Sequence, residues 1–243
     1  MRATEAIYQI GAAYYFDPAT VERGKEVGLD GFRFYFLGRG GVLGDVEAGV
    51  VQAAFGYFHP ALLARMWDTA RERFDASPRE AARLYLECAH DYGRRTFAGL
   101  AGMVEFADAA GKVIAAAEGA SMPLFAGIRA EPVPDDPGAA AKHQAVVLRE
   151  LRGSAHLLAI VAVGLPTPVA HAIKRPNEVQ LFGYTAELVP PVTDDDRAAW
   201  QRAEELTDAL LSPAYASLSN TEAEALVAGA TAMATAMAAV NAS

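Results

Sequence analysis

The chain has 243 residues and a formal net charge of −9, and 52% of its residues are hydrophobic while 21% are charged. This composition is typical of a globular protein with a core of its own, and it excludes wholesale disorder. The single cysteine, Cys88, excludes an internal disulfide, and the acidic balance disfavours nucleic-acid binding, because each neutralised phosphate needs a Lys or Arg.

The first elements follow helical periodicity. Apolar residues recur at helical spacing from about Thr4 to Tyr15, which predicts a first helix. Pro18 is well placed in the first turn of a second helix, which ends near Gly28.

The densest aromatic run of the chain follows, from Gly31 to Phe36, and it is the segment that best fits a short strand. A second candidate strand is Val179 to Tyr184, so we allow at most a short β-hairpin. The glycine-rich turn 38–44 then leads into an apolar helix, which we predict over Val42 to Tyr57.

The middle of the chain carries strong helix starts. His59 and Pro60 open a helix that runs through Phe74. Ser77-Pro78-Arg79-Glu80 combines a serine cap, a proline in the first turn and a glutamate three residues after the serine, which predicts a helix to about Arg95. The Ala-rich residues 99–119 are again helical.

A proline-rich linker, Met122 to Gly138, divides the chain. We predict a helical half over residues 1–121 and a second helical half over 139–243 that packs on the first. The second half begins with a long helix from about Ala139 to Val163.

The carboxyl-terminal part contains two more helices. Asp194, Asp195 and Asp196 favour the start of a helix over 197–211, because acids stabilise the positive end of the helix dipole. The last helix, 221–240, is Ala-rich and is interpreted as a core helix or as the contact of a homodimer. The fold expected from all these elements is all-α, a multi-helix single domain.

Membrane and secretory segments are not expected. The longest apolar run, Leu157 to Leu165, is far shorter than the roughly 18 residues that a membrane span needs. The amino terminus lacks the apolar core of a signal peptide, so we expect a cytoplasmic protein.

Neither a metal nor a nucleotide cofactor is predicted. The glycine-rich turn 38–44 lacks the Gly-Lys-Ser/Thr ending of a phosphate loop. The histidines include no pair at the spacing of a zinc helix, and Glu87 with His90 forms only one of the two Glu-x-x-His motifs of a di-iron site.

The most suggestive pattern lies on the long helix, where Arg149, Arg152 and His156 share one stripe at spacings of three and four residues. Two guanidinium groups could hold a carboxylate or phosphate, Gly153 would leave room for it, and His156 could move a proton. In the alternative interpretation the arginines pair with acids such as Glu150, and His156 is a satisfied core residue.

A second cluster places Arg39 and His59 among aromatic residues, as in many small-molecule pockets. We therefore predict two candidate catalytic residues, His156 and His59. The candidate ligand-binding residues are Arg39, Arg149, Arg152, Tyr35, Tyr57 and Phe58.

Two groups of motifs resemble the SalK-like helix-turn-helix proteins of actinobacteria, over roughly the first two thirds of the chain. The motifs are Gly31 to Phe36, Gly38-Arg39, Leu43-Gly44, Val50-Val51, Ala54-Phe55, Phe58-His59-Pro60, the run Leu148-Arg149-Glu150-x-Arg152-Gly153-x-x-His156, and Gly164-Leu165.

The resemblance implies a winged-helix segment related to MarR-type regulators after the His156 helix. The sequence departs from that pattern at about 166–192, where the recognition apparatus looks shortened or lost. We therefore expect a small-molecule-binding protein, a cofactor-independent enzyme of specialised metabolism that uses His and Arg in acid–base chemistry, without a nucleic-acid partner. The alternative is a winged-helix-type transcriptional regulator that binds DNA and a small-molecule effector.

Overall fold

The computed structural model describes residues 3–241, and over this range the chain is all-α and forms a single domain without a strand, as the sequence predicts. The α-helices are α1 (Ala3–Ala12), α2 (Pro18–Glu26), α3 (Phe32–Gly40), α4 (Ala48–Phe55), α5 (Pro60–Arg73), α6 (Pro78–Thr96), α7 (Met103–Ala116), α8 (Pro123–Ile128), α9 (Pro137–Ala162), α10 (Thr167–Lys174), α11 (Asp194–Tyr215) and α12 (Asn220–Asn241). Short 3₁₀ turns cover Gly41–Leu43, Pro176–Glu178 and Ala186–Leu188.

Neither candidate strand forms. The aromatic run belongs to α3, whose residues 34–38 are all buried, between α5 and α6. A continuously buried apolar run does not distinguish strand from helix by its periodicity. The second candidate, Val179 to Tyr184, folds into turns.

The prediction of a helix over Val42 to Tyr57 is also wrong for the residues before Ala48. The chain makes a 3₁₀ turn and then reaches Gly44, whose φ of +85° a right-handed helix cannot accommodate. The regular helix α4 therefore begins only at Ala48.

Local capping sets several helix starts. The capping box predicted at Ser77 forms, with the backbone N–H of Ser77 donating to the Glu80 carboxylate at 2.9 Å. Asp136 caps α9 by accepting from the N–H of Ala139 at 2.8 Å, so Pro137 of the linker opens the helix two residues earlier than predicted. A second capping box at Thr193 starts α11 at Asp194 rather than at residue 197.

The long helix α9 is the centre of the fold, because it packs against α1, α6, α7 and α11. Its contact with α1 is close: a Cβ added at Gly11 would lie 2.7 Å from the Cβ of Arg149 and 2.7 Å from the carbonyl oxygen of Ala145. One hydrophobic core contains residues from both sides of the proline-rich segment. The stripe of Arg149 therefore faces the interior.

The last helix, α12, is long and apolar enough to cross a membrane by length and composition. It has the length that a membrane span needs, which the run 157–165 does not. Its residues Leu226, Ala230 and Met233 are buried, and the helix packs against α1 and α7. A core helix of a globular domain meets the same criteria, so α12 is weak support for a membrane span.

Candidate functional site

A cavity of about 850 Å³ opens between α1, α3, α4, α9, α10 and α11. Aromatic and charged side chains line it together. It brings together seven of the eight candidate site residues: Tyr35, Arg39, Tyr57, Phe58, Arg149, Arg152 and His156.

The eighth candidate, His59, does not line the cavity. It is the N-cap of α5, where its Nδ1 accepts a hydrogen bond from the N–H of Ala61 at 3.2 Å. Its own backbone N–H donates to the carbonyl of Phe182 at 2.8 Å, which holds the segment after α10 against the cavity. The structure thus gives His59 a role in helix capping and in loop attachment.

The inner end of the cavity is organised around Glu150. Arg39 donates to both carboxylate oxygens, at 3.0 and 2.8 Å, and Arg149 donates to Oε1 at 3.0 Å. The hydroxyl of Tyr15 donates to the same oxygen at 3.0 Å, and Arg39 also bonds the hydroxyl of Tyr35. The side chains of Arg39, Arg149 and Glu150 are 11%, 11% and 6% exposed, so solvent screens these charges little.

The sequence analysis considered Glu150 only as an ion-pair partner of the arginines, and this pairing with Arg149 forms although neighbouring positions on a helix point about 100° apart. The long Arg149 side chain reaches around the helix to it. Burial alone would raise the pKa of the Glu150 carboxyl, but Arg39 and Arg149 outweigh burial and lower that pKa to about 2. Glu150 is therefore charged at neutral pH, and two guanidinium groups share its single negative charge.

Tyr8 is a residue that the sequence did not reveal. Its hydroxyl lies 3.5 Å from Arg149 Nη2, and the guanidinium of Arg149 lies over its ring at 4.8 Å. Arg149 lowers the pKa of Tyr8 although burial acts in the opposite direction. No local pattern marks Tyr8, since it is 141 residues from its partner.

The outer end of the cavity holds Arg152 and His156. Arg152 pairs with Glu204 of α11 at 2.7 Å. The ring nitrogen Nδ1 of His156 lies 3.0 Å from Thr207 Oγ1, whose own hydrogen is donated to the carbonyl of Ala203 at 2.7 Å. With the Thr207 hydroxyl hydrogen directed at the Ala203 carbonyl, the hydrogen-bond network assigns the proton to Nδ1 of His156 and leaves Nε2 as a hydrogen-bond acceptor.

His156 is neutral at physiological pH. Burial lowers its pKa to about 4, against the opposite influence of Glu204. The acceptor Nε2 lies 3.8 Å from Glu204 Oε1, and the ring contacts Trp200 edge-on at 4.9 Å. A neutral imidazole with a free Nε2 is a potential general base.

Unpaired polar atoms cluster around this cavity. Within residues 3–241, five buried side-chain nitrogen or oxygen atoms have no hydrogen-bond partner. Four of them belong to residues that line the cavity, namely Tyr57 Oη, Arg149 Nε, His156 Nε2 and His171 Nε2. Each unpaired buried polar atom costs about 1–3 kcal/mol, so such a cluster is unusual for a purely structural network.

The segment 166–192 forms one wall of the cavity. Phe182 stacks on Phe58 with ring centroids 4.1 Å apart, and His171 of α10 lies 3.8 Å from the Phe182 ring. Arg175 at the end of α10 pairs with Glu178 at 2.8 Å. Across the described residues no strand is present, so no β-wing forms in this segment.

No metal centre emerges from the described part of the chain, where no group of three or more His, Cys, Asp or Glu side chains is disposed to hold an ion. The polar groups of the residues that line the cavity include carboxylates, guanidinium groups, imidazoles and hydroxyls. Their arrangement can bind an anion at Arg149 and can accept a proton or a hydrogen bond at His156.

The fold and the cavity define an all-α protein with a pocket lined by aromatic and charged side chains. The chain belongs to a helix-turn-helix family, whose model matches residues 1–188. No curated protein and no solved structure matches the chain. The family match includes Arg39, Arg149 and His156, whereas Glu204 and Thr207, which contact the outer end, lie beyond it.

Proposed function

We propose that this protein binds a small organic molecule in the cavity between α1, α3, α9 and α11. The observation that carries the proposal is the cluster of four unpaired buried polar atoms around one cavity of about 850 Å³. Pockets for small molecules typically combine aromatic walls with a few convergent polar groups. A ligand that forms hydrogen bonds with these atoms would remove the free-energy cost of leaving them unpaired.

The proposed chemistry is cofactor-independent acid–base catalysis. Arg149 holds an anionic group of the substrate, Arg39 fixes Glu150 beside it, and His156 accepts a proton at Nε2. Thr207 orients the imidazole through its hydrogen bond to Nδ1. The resemblance to SalK-like proteins points to an actinobacterial source, and the protein is proposed to act in specialised metabolism in the cytoplasm. The Ala-rich helix α12 is proposed as the contact of a homodimer.

Gly153 offers a direct test of the binding site. It lines the cavity on α9, and a Cβ added there would meet no atom within 4 Å. The variant Gly153→Leu should therefore fill part of the cavity without disturbing the core. Gly49→Leu is the matched control, because Gly49 is also helical and open but lies outside the cavity lining.

The measurement is native mass spectrometry of the protein purified from its own host, with thermal melting as the check on folding. We expect a co-purifying molecule on the wild-type protein and on Gly49→Leu, and its loss from Gly153→Leu at an unchanged melting temperature. If a bound molecule is retained equally by Gly153→Leu, or if none is bound to the wild type, the proposed function is wrong.

A transcriptional regulator is the second candidate, and membership of the helix-turn-helix family favours it. The cavity would then hold an effector. The net charge of −9 and the three acids at the start of α11 weigh against contact with DNA phosphates. A gel-shift assay with the DNA upstream of the protein's own gene, at moderate salt, separates the two. Tight sequence-specific binding would establish the regulator.

A further inference from the structure

The two ends of the cavity have different polar requirements, and together they specify a ligand class. We propose that the ligand is an elongated monocarboxylic acid with a ring-containing body and an uncharged hydrogen-bond donor at its far end, the carboxylate binding Arg149 and the donor binding Nε2 of His156. This inference rests on the proposed function and names the ligand of that site.

The inner end carries one surplus positive charge. Among the described residues there, Arg39 and Arg149 face a single carboxylate, Glu150, and the nearby Arg175 is already paired with Glu178. Two other charged residues that line the cavity, Glu5 and Lys174, form no ion pair with any of these described residues.

Arg39 donates twice to Glu150 and once to Tyr35, so all three of its nitrogens are paired. Arg149 donates to Glu150 at 3.0 Å and more weakly to Tyr8 at 3.5 Å, and its buried Nε has no partner. Arg149 is therefore the guanidinium with donors to spare.

A carboxylate fits this surplus better than a phosphate does. One negative charge neutralises the inner end, whereas a phosphate dianion would leave a net negative charge in a largely buried site. A carboxylate also accepts two parallel hydrogen bonds from one guanidinium.

The outer end requires a donor. In the tautomer assigned above, Nε2 of His156 and Oε1 of Glu204 are both acceptors, and they lie 3.8 Å apart. Arg152 already neutralises Glu204 at 2.7 Å, so an uncharged hydroxyl or N–H suffices. Tyr57, whose buried hydroxyl has no hydrogen-bond partner in the described part of the protein, also lines the cavity.

The spacing of the two ends sets the length of the ligand. Arg149 and His156 are seven residues apart on one helix, which separates them by about 10 Å along the axis. Molecules whose acid and donor sit on adjacent carbons cannot bridge this distance. Gly153 lies between Arg149 and His156 on α9 and has open space beside it, and the stacked pair of Phe58 and Phe182 lines the same cavity. A single ring with short substituents fits between them.

Three matched probes test the proposal by calorimetric titration of the wild-type protein. The complete probe is 4-(hydroxymethyl)phenylacetate. The second, 4-ethylphenylacetate, replaces the hydroxyl by a methyl group, and the third, 4-(hydroxymethyl)phenylacetamide, removes the charge. We expect the complete probe to bind at least about tenfold more tightly than either of the others, because each loses one hydrogen-bonded contact.

Two variants assign each preference to its residue. Arg149→Met should abolish the preference for the acid over the amide while keeping the preference for the hydroxyl. His156→Phe should do the reverse. Both should fold, because Arg39 still pairs with Glu150 in the first and phenylalanine replaces an imidazole already flanked by Trp200 in the second. Melting curves of both variants accompany the titrations.

The proposal is wrong if the amide binds as tightly as the acid, if the ethyl probe equals the hydroxymethyl probe, or if no probe binds. It is also wrong if the acid preference persists in Arg149→Met. Each of these results leaves the proposed function standing when Gly153→Leu still loses the co-purifying molecule. The two hypotheses therefore fail separately.

Discussion

Glu150 holds two buried guanidinium groups, and its replacement by glutamine perturbs the charge balance at the centre of the molecule. The variant Glu150→Gln keeps the shape of the side chain and removes its charge, so Arg39 and Arg149 lose their shared counter-charge. Removing one partner of a buried ion pair costs about 3–5 kcal/mol, because the remaining charge stays desolvated. The side chains are only 11%, 11% and 6% exposed, so little screening reduces this cost.

Thermal unfolding followed by circular dichroism measures the effect. In a domain of this size about 1 kcal/mol shifts the melting temperature by roughly 2–4 °C, so Glu150→Gln should melt roughly 10 °C below the wild type. The matched control is Glu204→Gln, which breaks the pair with Arg152, whose partners are 22% and 26% exposed. A pair with that much solvent contact contributes about 1 kcal/mol, so the control should melt only a few degrees lower.

The charge balance also predicts how Glu150→Gln responds to a small carboxylate. Without Glu150 the inner end carries two uncompensated positive charges, so a high concentration of acetate should raise the melting temperature of Glu150→Gln more than that of the wild type. The reasoning fails if Glu150→Gln melts no lower than Glu204→Gln. It also fails if acetate stabilises the wild type and the variant equally.

Three other predictions follow from particular contacts. Burial lowers the pKa of His143 and of His156 to about 4, so the unfolded chain binds protons that the folded chain does not, and stability falls as the pH drops from 6.5 towards 4. In urea titrations, each histidine should lower the free energy of unfolding by about 2 kcal/mol at pH 5 relative to pH 7. A pH dependence that is unchanged in His143→Gln would contradict this. Ser77→Ala breaks a capping box and should lower the free energy of unfolding by about 1 kcal/mol. This corresponds to a fall of roughly 2–4 °C in melting temperature. An unshifted melting curve would mean that the cap does not contribute to stability. Gly11→Ala places a Cβ 2.7 Å from the Cβ of Arg149 and should cost about 2 kcal/mol in denaturant unfolding, whereas a neutral effect would show that α1 can move away from α9 freely.

Local sequence determined most of the helices. The capping box at Ser77 acts within four residues of chain, so its pattern is enough to predict the start of α6. The starts of α9 and α11 were predicted two and three residues too late, because the capping by Asp136 and Thr193 was not recognised in the sequence. The stripe of Arg149, Arg152 and His156 was predictable for the same reason, since positions three and four apart on a helix share a face.

Tertiary structure decided which residues meet those side chains. Three contacts of these side chains join residues that are far apart in the chain. The sequence separations are 111 residues for Arg39 and Glu150, 141 for Arg149 and Tyr8, and 52 for Arg152 and Glu204. Contacts across such separations depend on how whole helices pack, and no local spacing records that packing. The same limit explains why the aromatic run of α3 was predicted as a strand. The neighbouring helices bury this run, and a continuously apolar run does not by itself distinguish a buried helix from a buried strand.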